Sequence, residues 1–306
     1  MYRYRIYGVI LESEFELKVL IPVEDEHSPN SEDYAENVIK VSIRHIEEEV
    51  MQILNDHDRE YYYIDFNTSA FWNKAGFYLI RDGKEILVQI KEGYDQETIS
   101  PWILGFCLSI ALLQKGIMTI HCSAVSFNDR GVLISGNSGA GKSSLTGKLL
   151  ESGFKLMADD VAAIGVEDEQ YLVYSAFPYQ KLCSNEVVKK QFDKEELIYI
   201  DEDKDKYLVP AHSIFEPEPQ PLDHLFFIVK APIDVLQIHK MVGFDSFMAV
   251  KTNLFLNSLG GNWQKDQRVI NTCMKIASKC EVYMIVRPED VDTLEEMRDW
   301  VMEIIQ

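Results

Sequence analysis

The residues at positions 136–143 constrain this chain more than any other segment, because they read G-N-S-G-A-G-K-S, a G-x-x-x-x-G-K-S pattern. An apolar run at 131–134 precedes them, and a helix-like run at 144–152 follows them. That order of strand, loop and helix is the context in which glycines let the backbone N–H groups surround a polyphosphate. The N-terminus of the following helix adds a favourable dipole. The sequence therefore predicts a nucleotide-binding loop.

Two side chains of this loop have expected roles in binding the nucleotide. Lys142 is expected to reach the β- and γ-phosphates, and the hydroxyl of Ser143 is expected to ligate Mg²⁺. The expected cofactors are ATP and Mg²⁺, although the residues themselves leave ATP and GTP open. The residues predicted to contact the nucleotide are Gly136, Asn137, Ser138, Gly139, Ala140, Gly141, Lys142, Ser143 and Ser144.

The composition excludes some classes of partner. The chain has 306 residues, enough for one large domain or two ordinary ones, and a net charge of −20. Nucleic acids and anionic membrane surfaces are bound through basic patches, and no such patch is visible. We therefore predict that the protein binds neither nucleic acid nor membrane.

Cysteine usage and the N-terminus predict a cytoplasmic protein. The five cysteines are scattered and form no C-x-x-C pair, which is typical of reduced thiols. The first residues resemble no signal peptide. The longest apolar run, 101–113, has thirteen residues, which is too few to span a bilayer and predicts a buried helix.

The first part of the chain is expected to form β-structure. Short β-rich runs occupy 4–10, 15–21 and 38–45, an acidic loop covers 24–36, and Asp82-Gly83 marks a hairpin between 77–81 and 85–90. These runs predict an antiparallel β unit, which we delimit as an N-terminal β-rich domain at 1–97.

The rest of the chain, 98–306, is expected to form an α/β domain. Ser100 and Pro101 are suited to the N-cap and first position of a helix. Strands are predicted at 118–123, 155–157, 222–229 and 282–286, and helices at 245–254, 265–279 and 288–305. The charged run 193–206, which includes Lys204 and Lys206, is expected to be solvated.

Candidate catalytic residues lie at the ends of two strands that flank the loop. His121 stands at the end of one predicted strand, and Asp159 and Asp160 stand at the end of another. A carboxylate near a γ-phosphate can hold Mg²⁺ or accept the proton of an attacking hydroxyl. Neighbouring residues of an extended strand face opposite sides, so at most one aspartate is expected to face the acceptor. Plainer interpretations are a turn or helix cap for the aspartates and a core histidine for His121.

The stretch 121–160 resembles the catalytic core of HPr kinase/phosphorylase. The residues that carry the resemblance are H-C-S-A-V, the loop itself and G-F-K-L-M-A-D-D, with His121 21 residues before Lys142 and Asp160 18 residues after it. The whole chain is more similar to the small HPr-kinase-like kinases of peptide-modification pathways, including kinases of lasso-peptide precursors. Less specific matches to those kinases are Y-x-x-x-G-x-x-x-x-S at 4–13, F-P-Y-Q-K-L at 177–182 and P-Q-P-L at 219–222.

The resemblance implies a fold and an assembly. It implies a P-loop kinase domain of the HPr kinase and phosphoenolpyruvate-carboxykinase type, with a mixed sheet, after the smaller N-terminal β-rich domain. The parent family tends to form ring-like assemblies, so the resemblance also allows a homo-oligomer.

The resemblance also implies roles for individual residues. Asp160 would be the general base that takes the proton of an acceptor serine, and His121 would orient or tune it. Lys142 and Ser143 would bind the phosphates and Mg²⁺. Asp159 would support the metal or the geometry of the site. Lys181, in the F-P-Y-Q-K-L segment, is a candidate contact to phosphates or to the acceptor, with a solvated lysine as the alternative.

The leading prediction is an ATP- and Mg²⁺-dependent serine kinase that acts on a peptide or small protein, with the C-terminal serine of a lasso-peptide precursor as the acceptor that the resemblance implies. The L-E-x-R-G-x-G segment of the parent family is missing, which leaves the second metal carboxylate unassigned and reversal by phosphate in doubt. The alternatives are a true HPr(Ser) kinase/phosphorylase, a nucleotide-dependent regulatory module without phosphoryl transfer, and a plain ATPase.

Overall fold

A computed structural model describes residues 1–23, 37–201 and 205–306, without the side chains at 200 and 201. The acidic loop predicted at 24–36 and the lysine at position 204, Lys204, lie outside the described residues.

The chain forms two compact units, which are described separately. Unit 1 consists of Met1–Thr119 and Phe255–Ile270, and unit 2 consists of Ile120–Leu254 and Asn271–Gln306. The domain boundary between 97 and 98 stays a prediction.

Unit 1 contains a seven-stranded sheet with the strand order β1-β2-β3-β7-β6-β5-β4. The strands are β1 (Tyr2–Ile6), β2 (Val9–Ser13), β3 (Val38–Ile43), β4 (Tyr62–Tyr63), β5 (Thr68–Trp72), β6 (Gly76–Arg81) and β7 (Glu85–Ile90). The predicted hairpin between β6 and β7 is confirmed, with positive φ at Asp82 and Gly83. The expectation of a purely antiparallel unit is wrong, because β2–β3 and β3–β7 are parallel pairs. The chain makes a long excursion through β4–β6 between β3 and β7, which lets β7 return parallel to β3.

Two other expectations for this unit are corrected. The run 15–21 is not a strand, because local hydroxyls satisfy its backbone: Ser13 Oγ accepts from Phe15 N and Tyr4 OH accepts from Leu17 N. The acidic stretch after β3 forms a helix, α1 (Glu47–Asp56), which the sequence reasoning missed. Val50 and Leu54 of this helix are buried in a cluster with residues of β5 and β6.

The apolar helix begins earlier than predicted. It consists of α2 (Gln96–Trp102), a π-helical turn (Ile103–Cys107) and α3 (Leu108–Gln114). Asp95 is the N-cap and accepts from Thr98 N, so Pro101 lies inside the helix. At 19 residues the segment is long and apolar enough to cross a bilayer, but 56% of its most apolar window is buried inside the protein. Because core helices pass the same length and composition test, the feature is weak evidence for a membrane span.

Unit 2 is built on a nine-stranded mixed sheet, with a separate three-stranded sheet. The strands from this part of the chain are β8 (Met118–Ile120), β9 (Cys122–Phe127), β10 (Arg130–Gly136), β11 (Lys155–Ala158), β12 (Ala162–Glu167), β13 (Gln170–Tyr174), β14 (Tyr179–Cys183), β15 (Ile198–Asp201), β16 (Lys206–Pro210), β17 (Gln220–Ala231), β18 (Gln237–Met241) and β19 (Glu281–Pro288). The large sheet runs β11-β9-β10-β17-β13-β12-β8, and β19 joins β17 and β18. The pairs β10–β17 and β17–β19 are parallel, and β9 is antiparallel to β10 and β11. The mixed α/β fold predicted from the sequence is confirmed.

The helices of this part of the chain are α4 (Lys142–Glu151), α5 (Ser184–Lys189), α6 (Phe244–Thr252), α7 (Gln267–Lys279) and α8 (Leu294–Ile305). Residues of α4 and α8, among them Leu145, Leu149 and Val301, share one buried cluster with Phe226 and Ile285 of the sheet. Helix α8 starts later than the predicted position 288, because β19 remains paired with β17 as far as Pro288.

The described part of the charged run, 193–201, is mostly exposed, as expected, and includes strand β15. Strands β14, β16 and β15 form the small three-stranded sheet, in that order. Leu182, Val187 and Val209 form its own buried cluster. We call the segment 179–210 the insert, since it lies between β13 and β17 of the large sheet.

Candidate active site

Strand direction brings the predicted site residues to one edge of the large sheet. Because β9 runs antiparallel to β10 and β11, the start of β9 lies beside the ends of both neighbours. The register shows this directly, with Ser135 opposite Cys122 and Ala158 opposite Ala124. His121 immediately precedes β9, the glycine-rich loop follows β10, and the two aspartates follow β11. The three segments therefore converge.

The glycine-rich loop has a backbone that requires glycine. The φ angles of Gly136, Gly139 and Gly141 are 151°, 76° and 112°. A methyl group on Gly136 would lie only 2.5 Å from the carbonyl oxygen of Ile228. Helix α4 starts at Lys142, directly after the loop. The loop thus has the conformation and the following helix that phosphate binding needs.

Lys142 is a partly buried cation with neutral partners. Its Nζ donates to Gly136 O at 2.9 Å and lies 3.1 Å from His121 Nε2. Burial lowers the pKa of this lysine. Within the part of the chain that the structure describes, no carboxylate forms an ion pair with it. A partly buried ammonium that forms no ion pair with these residues fits a site that receives an anion, such as the phosphates of a nucleotide.

The hydrogen bonds of His121 define its tautomer. An ammonium can only donate, so Nε2 accepts from Lys142 and Nδ1 carries the proton. Nδ1 then donates to the main-chain oxygen of Asp160 at 3.0 Å and lies 3.6 Å from its Oδ1. Burial, followed by the charge of Lys142, lowers the pKa of His121. A neutral imidazole therefore bridges Lys142 and Asp160.

The main chain at His121 is also fixed. Its N–H donates to Asn253 O at 2.8 Å, and its carbonyl oxygen accepts from Ser135 Oγ at 2.7 Å. Ser135 Oγ lies 2.9 Å from Asn253 Oδ1. Strand β10 and the end of α6 thereby set the position of the imidazole.

Asp160 combines an unusual backbone with an ionised side chain. Its φ of 75° lies in the left-handed region, which residues with a side chain disfavour. Its Oδ2 accepts from Lys181 Nζ at 2.8 Å. Burial opposes ionisation, but the charge and hydrogen bond of Lys181 outweigh it and hold the pKa of Asp160 well below its usual range. The site therefore contains a carboxylate that stays ionised at neutral pH.

The neighbouring Asp159 has both oxygens in protein hydrogen bonds. Oδ1 accepts from Ser123 Oγ at 2.7 Å and from Asp160 N at 3.1 Å, and Oδ2 accepts from Lys181 N at 2.8 Å. Burial raises the pKa of this carboxyl. In this arrangement Asp159 fixes the turn that carries Asp160. Its role toward a metal stays a prediction.

The remaining loop residues differ in exposure. Ser143 is half-buried, Ala140 is buried, and its N–H donates to Asn137 O at 3.0 Å. The other predicted loop contacts, Asn137, Ser138 and Ser144, are exposed.

The donors present fit a magnesium ion that arrives with a nucleotide. Among the described residues, no group of three or more His, Cys, Asp and Glu side chains is arranged to hold a metal by itself. Mg²⁺ is usually held by one or two carboxylates together with phosphate oxygens and waters. The hydroxyl of Ser143 is the protein group that would join such a shell.

Sequence reasoning missed several groups that shape this site. Ser123 lies within the H-C-S-A-V segment, but its bond to Asp159 depends on the pairing of β9 with β11. Arg287, near the end of β19, donates to Ala140 O at 3.4 Å, and its buried Nε has no hydrogen-bond partner among the described residues. The available signal was its place at the end of an apolar strand, where ligands of α/β sheets are commonly bound.

Comparison with known proteins agrees with this geometry over part of the chain. Residues 115–182 match the family model described as the HPr Serine kinase C-terminal domain. The matched segment contains β9, the glycine-rich loop, both aspartates and Lys181. This region is therefore similar to HPr kinases, which supports a kinase of that general type.

The comparisons with curated proteins and with solved structures give no further information on the activity. No curated protein matches the chain. Among solved structures, the Hpr(Ser) kinase/phosphatase from Coxiella burnetii is similar at 16% identity, over 60% of this chain and 88% of that chain, with a TM-score of 0.33. A likeness this distant does not inform the activity.

Proposed function

We propose that the protein is a Mg-ATP-dependent kinase that transfers a phosphoryl group to a serine hydroxyl of a peptide or small protein. One observation carries this proposal: the ionised carboxylate of Asp160 lies next to the glycine-rich loop, whose Lys142 forms no ion pair among the described residues. Binding of nucleotide alone would need the loop and Lys142, but it would not need an oriented carboxylate beside them.

The roles follow from the contacts. Lys142 and the loop N–H groups would hold the phosphates, and Ser143 would face the metal. Bound Mg²⁺ neutralises charge on the transferred phosphoryl group. Asp160 would accept the proton of the serine hydroxyl. Neutral His121 would hold the main chain of Asp160 in place through the hydrogen bond to its carbonyl oxygen. A carboxylate is a weak base, but it can act late in a loose transition state, where positioning supplies most of the rate.

The acceptor rests on the resemblance of the sequence. The small HPr-kinase-like kinases that the chain resembles include kinases of lasso-peptide precursors, so a precursor peptide that ends in serine is the proposed substrate. A second candidate is HPr protein itself, which the matched family model favours and the missing L-E-x-R-G-x-G segment disfavours. Cytoplasmic location and homo-oligomerisation stay predictions.

Intact-mass spectrometry tests this proposal. The protein is incubated with Mg-ATP and with HPr or a precursor peptide that ends in serine, and Asp160→Asn is the control. We expect one added phosphate on the peptide serine and a loss of transfer of about 10²–10⁴-fold in the variant. Phosphate on HPr alone would favour the second candidate. Retained nucleotide binding with no transfer to either acceptor would favour a regulatory module, and hydrolysis that no acceptor stimulates would favour an ATPase.

A further inference from the structure

Lys181 contacts both aspartates through two different groups. Its main-chain N–H donates to Asp159 Oδ2, and its ammonium donates to Asp160 Oδ2, both at 2.8 Å. The ammonium is partly buried, with 29% of the side chain exposed, and the carboxylate of Asp160 is 25% exposed. A half-buried, charge-assisted contact of this length is stronger and better ordered than an exposed surface pair.

The insert fixes where this side chain points. On β14, Gln180 and Leu182 are buried, while Lys181 between them faces the other side of the strand. Leu182 packs with Val187 and Val209 in the buried cluster of the insert. The pairing of β14 with β16 sets the register of the strand. The insert therefore holds Lys181 on the side that meets the two aspartates.

The carboxylate of Asp160 needs such a restraint. Its backbone is held by two bonds, from its own N–H to Asp159 Oδ1 and from His121 Nδ1 to its carbonyl oxygen. Neither of these bonds defines the rotation of the carboxylate about its side-chain torsions. The bond from Lys181 engages the carboxylate oxygen itself, so it selects the direction in which the other oxygen faces.

We propose that Lys181 is a positioning residue that orients the carboxylate of Asp160, and that it does not bind the nucleotide phosphates. This inference rests on the proposed kinase function, in which Asp160 is the base. It differs from the sequence expectation, in which Lys181 contacts phosphates or the acceptor. The main-chain bond to Asp159 does not depend on the side chain, so a substitution at 181 removes one contact and keeps the other.

The kinetic test uses Lys181→Met and Lys181→Arg in the full chain. With Met we expect kcat to fall roughly 100-fold, because an unrestrained base loses its alignment. The KM for Mg-ATP and the Kd for Mg²⁺ with a non-hydrolysable ATP analogue should change by less than about 2-fold, since the phosphate contacts are kept. Arg should restore kcat to within about 10-fold of the original protein, because it supplies a cationic donor of different shape. A Kd weakened about 10-fold or more with kcat retained would overturn the proposal.

Lys206→Met is the matched control. Lys206 lies opposite Cys183 in the pairing of β16 with β14, and its charge also acts on Asp160. If a general positive potential were responsible, both lysine variants would lose activity alike. We expect kcat of Lys206→Met to change less than about 3-fold, because its charge acts more weakly on Asp160 than that of Lys181 and forms no ion pair with it among the described residues.

A second measurement does not depend on phosphoryl transfer. The Tm of nucleotide-free protein is measured for Lys181→Met, Asp160→Asn and the double variant. We expect the two shifts in Tm to be non-additive, since the residues are in direct contact. Additive shifts would overturn the proposal. Absence of transfer by the unsubstituted protein would instead refute the kinase function, while the Tm cycle would still decide whether the contact exists.

Discussion

Charged side chains are arranged differently on the surface of unit 1 and at the glycine-rich loop of unit 2. In unit 1, Glu14 forms an ion pair with Arg44 at 2.7 Å, and Glu49 forms one with Arg81. These pairs lie at or near the surface and match each charge with its opposite. At the loop edge of unit 2, Lys142 instead contacts an imidazole and a carbonyl oxygen.

The difference distinguishes the ion pairs on the surface of unit 1 from the charged groups of unit 2 that are suited to binding a ligand. Surface ion pairs contribute little to stability and mark no site. A partly buried cation that forms no ion pair among the described residues and an aspartate in the left-handed region both cost stability, and such costs are concentrated at functional sites. Arg287, whose buried Nε has no hydrogen-bond partner among the described residues, belongs to the second kind.

The largest expected effect is at Lys142. We expect Lys142→Met to lower kcat by at least about 10²–10³-fold and to weaken nucleotide binding, because the charge that stabilises the phosphates is lost. Burial lowers the pKa of Lys142, so folding disfavours its charged form, and Tm should stay the same or rise. Calorimetric titration with a non-hydrolysable ATP analogue and a thermal melt measure both quantities. A lower Tm of Lys142→Met with unchanged affinity for the ATP analogue would show that Lys142 stabilises the fold and does not bind the nucleotide.

The next effect concerns the loop backbone. Gly136→Ala places a methyl group 2.5 Å from Ile228 O, so we expect about 1–3 kcal/mol lower stability and loss of nucleotide binding. Gly153→Ala is the control, since its φ of 97° is also unfavourable for alanine but no atom lies within 4 Å of the added methyl. Denaturant unfolding and nucleotide titration compare the variants. Equal losses of stability and binding would show that the clash at Gly136 is unimportant.

The smallest effect is expected at the surface pair of unit 1. Glu14→Gln should lower Tm by less than about 2 °C and leave kcat unchanged. The hydrogen bond from Arg44 lowers the pKa of Glu14 from its ordinary value of 4.5. The stabilisation is therefore present above pH 4.5 and lost as pH falls through the lower folded-state pKa. Thermal melts of both proteins at pH 7 and pH 3 should converge at the lower pH, and a difference that grows there would contradict this account.

Local signals in the sequence were sufficient for the loop and for the α/β class, whereas the mixed sheet was expected only from the family resemblance. The spacing of G-x-x-x-x-G-K-S reports a backbone conformation directly, and apolar runs report the strands on either side of it. The positions of His121 and Asp160 at strand ends also suggested that they would meet. Their tautomer, bonds and backbone angles depend on pairings between distant strands, which one sequence does not reveal.

The contact between Lys181 and Asp160 could not be predicted from the sequence, because it depends on how the insert folds. The insert that carries Lys181 is rich in charge, so its strands β15 and β16 gave no clear alternation of apolar residues. Its described buried cluster consists of Leu182, Val187 and Val209, with Leu197 and Tyr207 packed against it. The helix α1 was missed for a similar reason, because acidic residues dominate its first turn and only Val50 and Leu54 are buried.

The most direct test of the central claim is a crystal structure with Mg²⁺ and a non-hydrolysable ATP analogue. We predict that the phosphates lie along residues 136–143, with Lys142 Nζ in hydrogen-bond contact with the β- or γ-phosphate. We also predict that Oδ1 of Asp160 faces the γ-phosphate, while Lys181 remains hydrogen-bonded to Oδ2. A nucleotide bound elsewhere, or an Asp160 carboxylate turned away from the γ-phosphate, would contradict it.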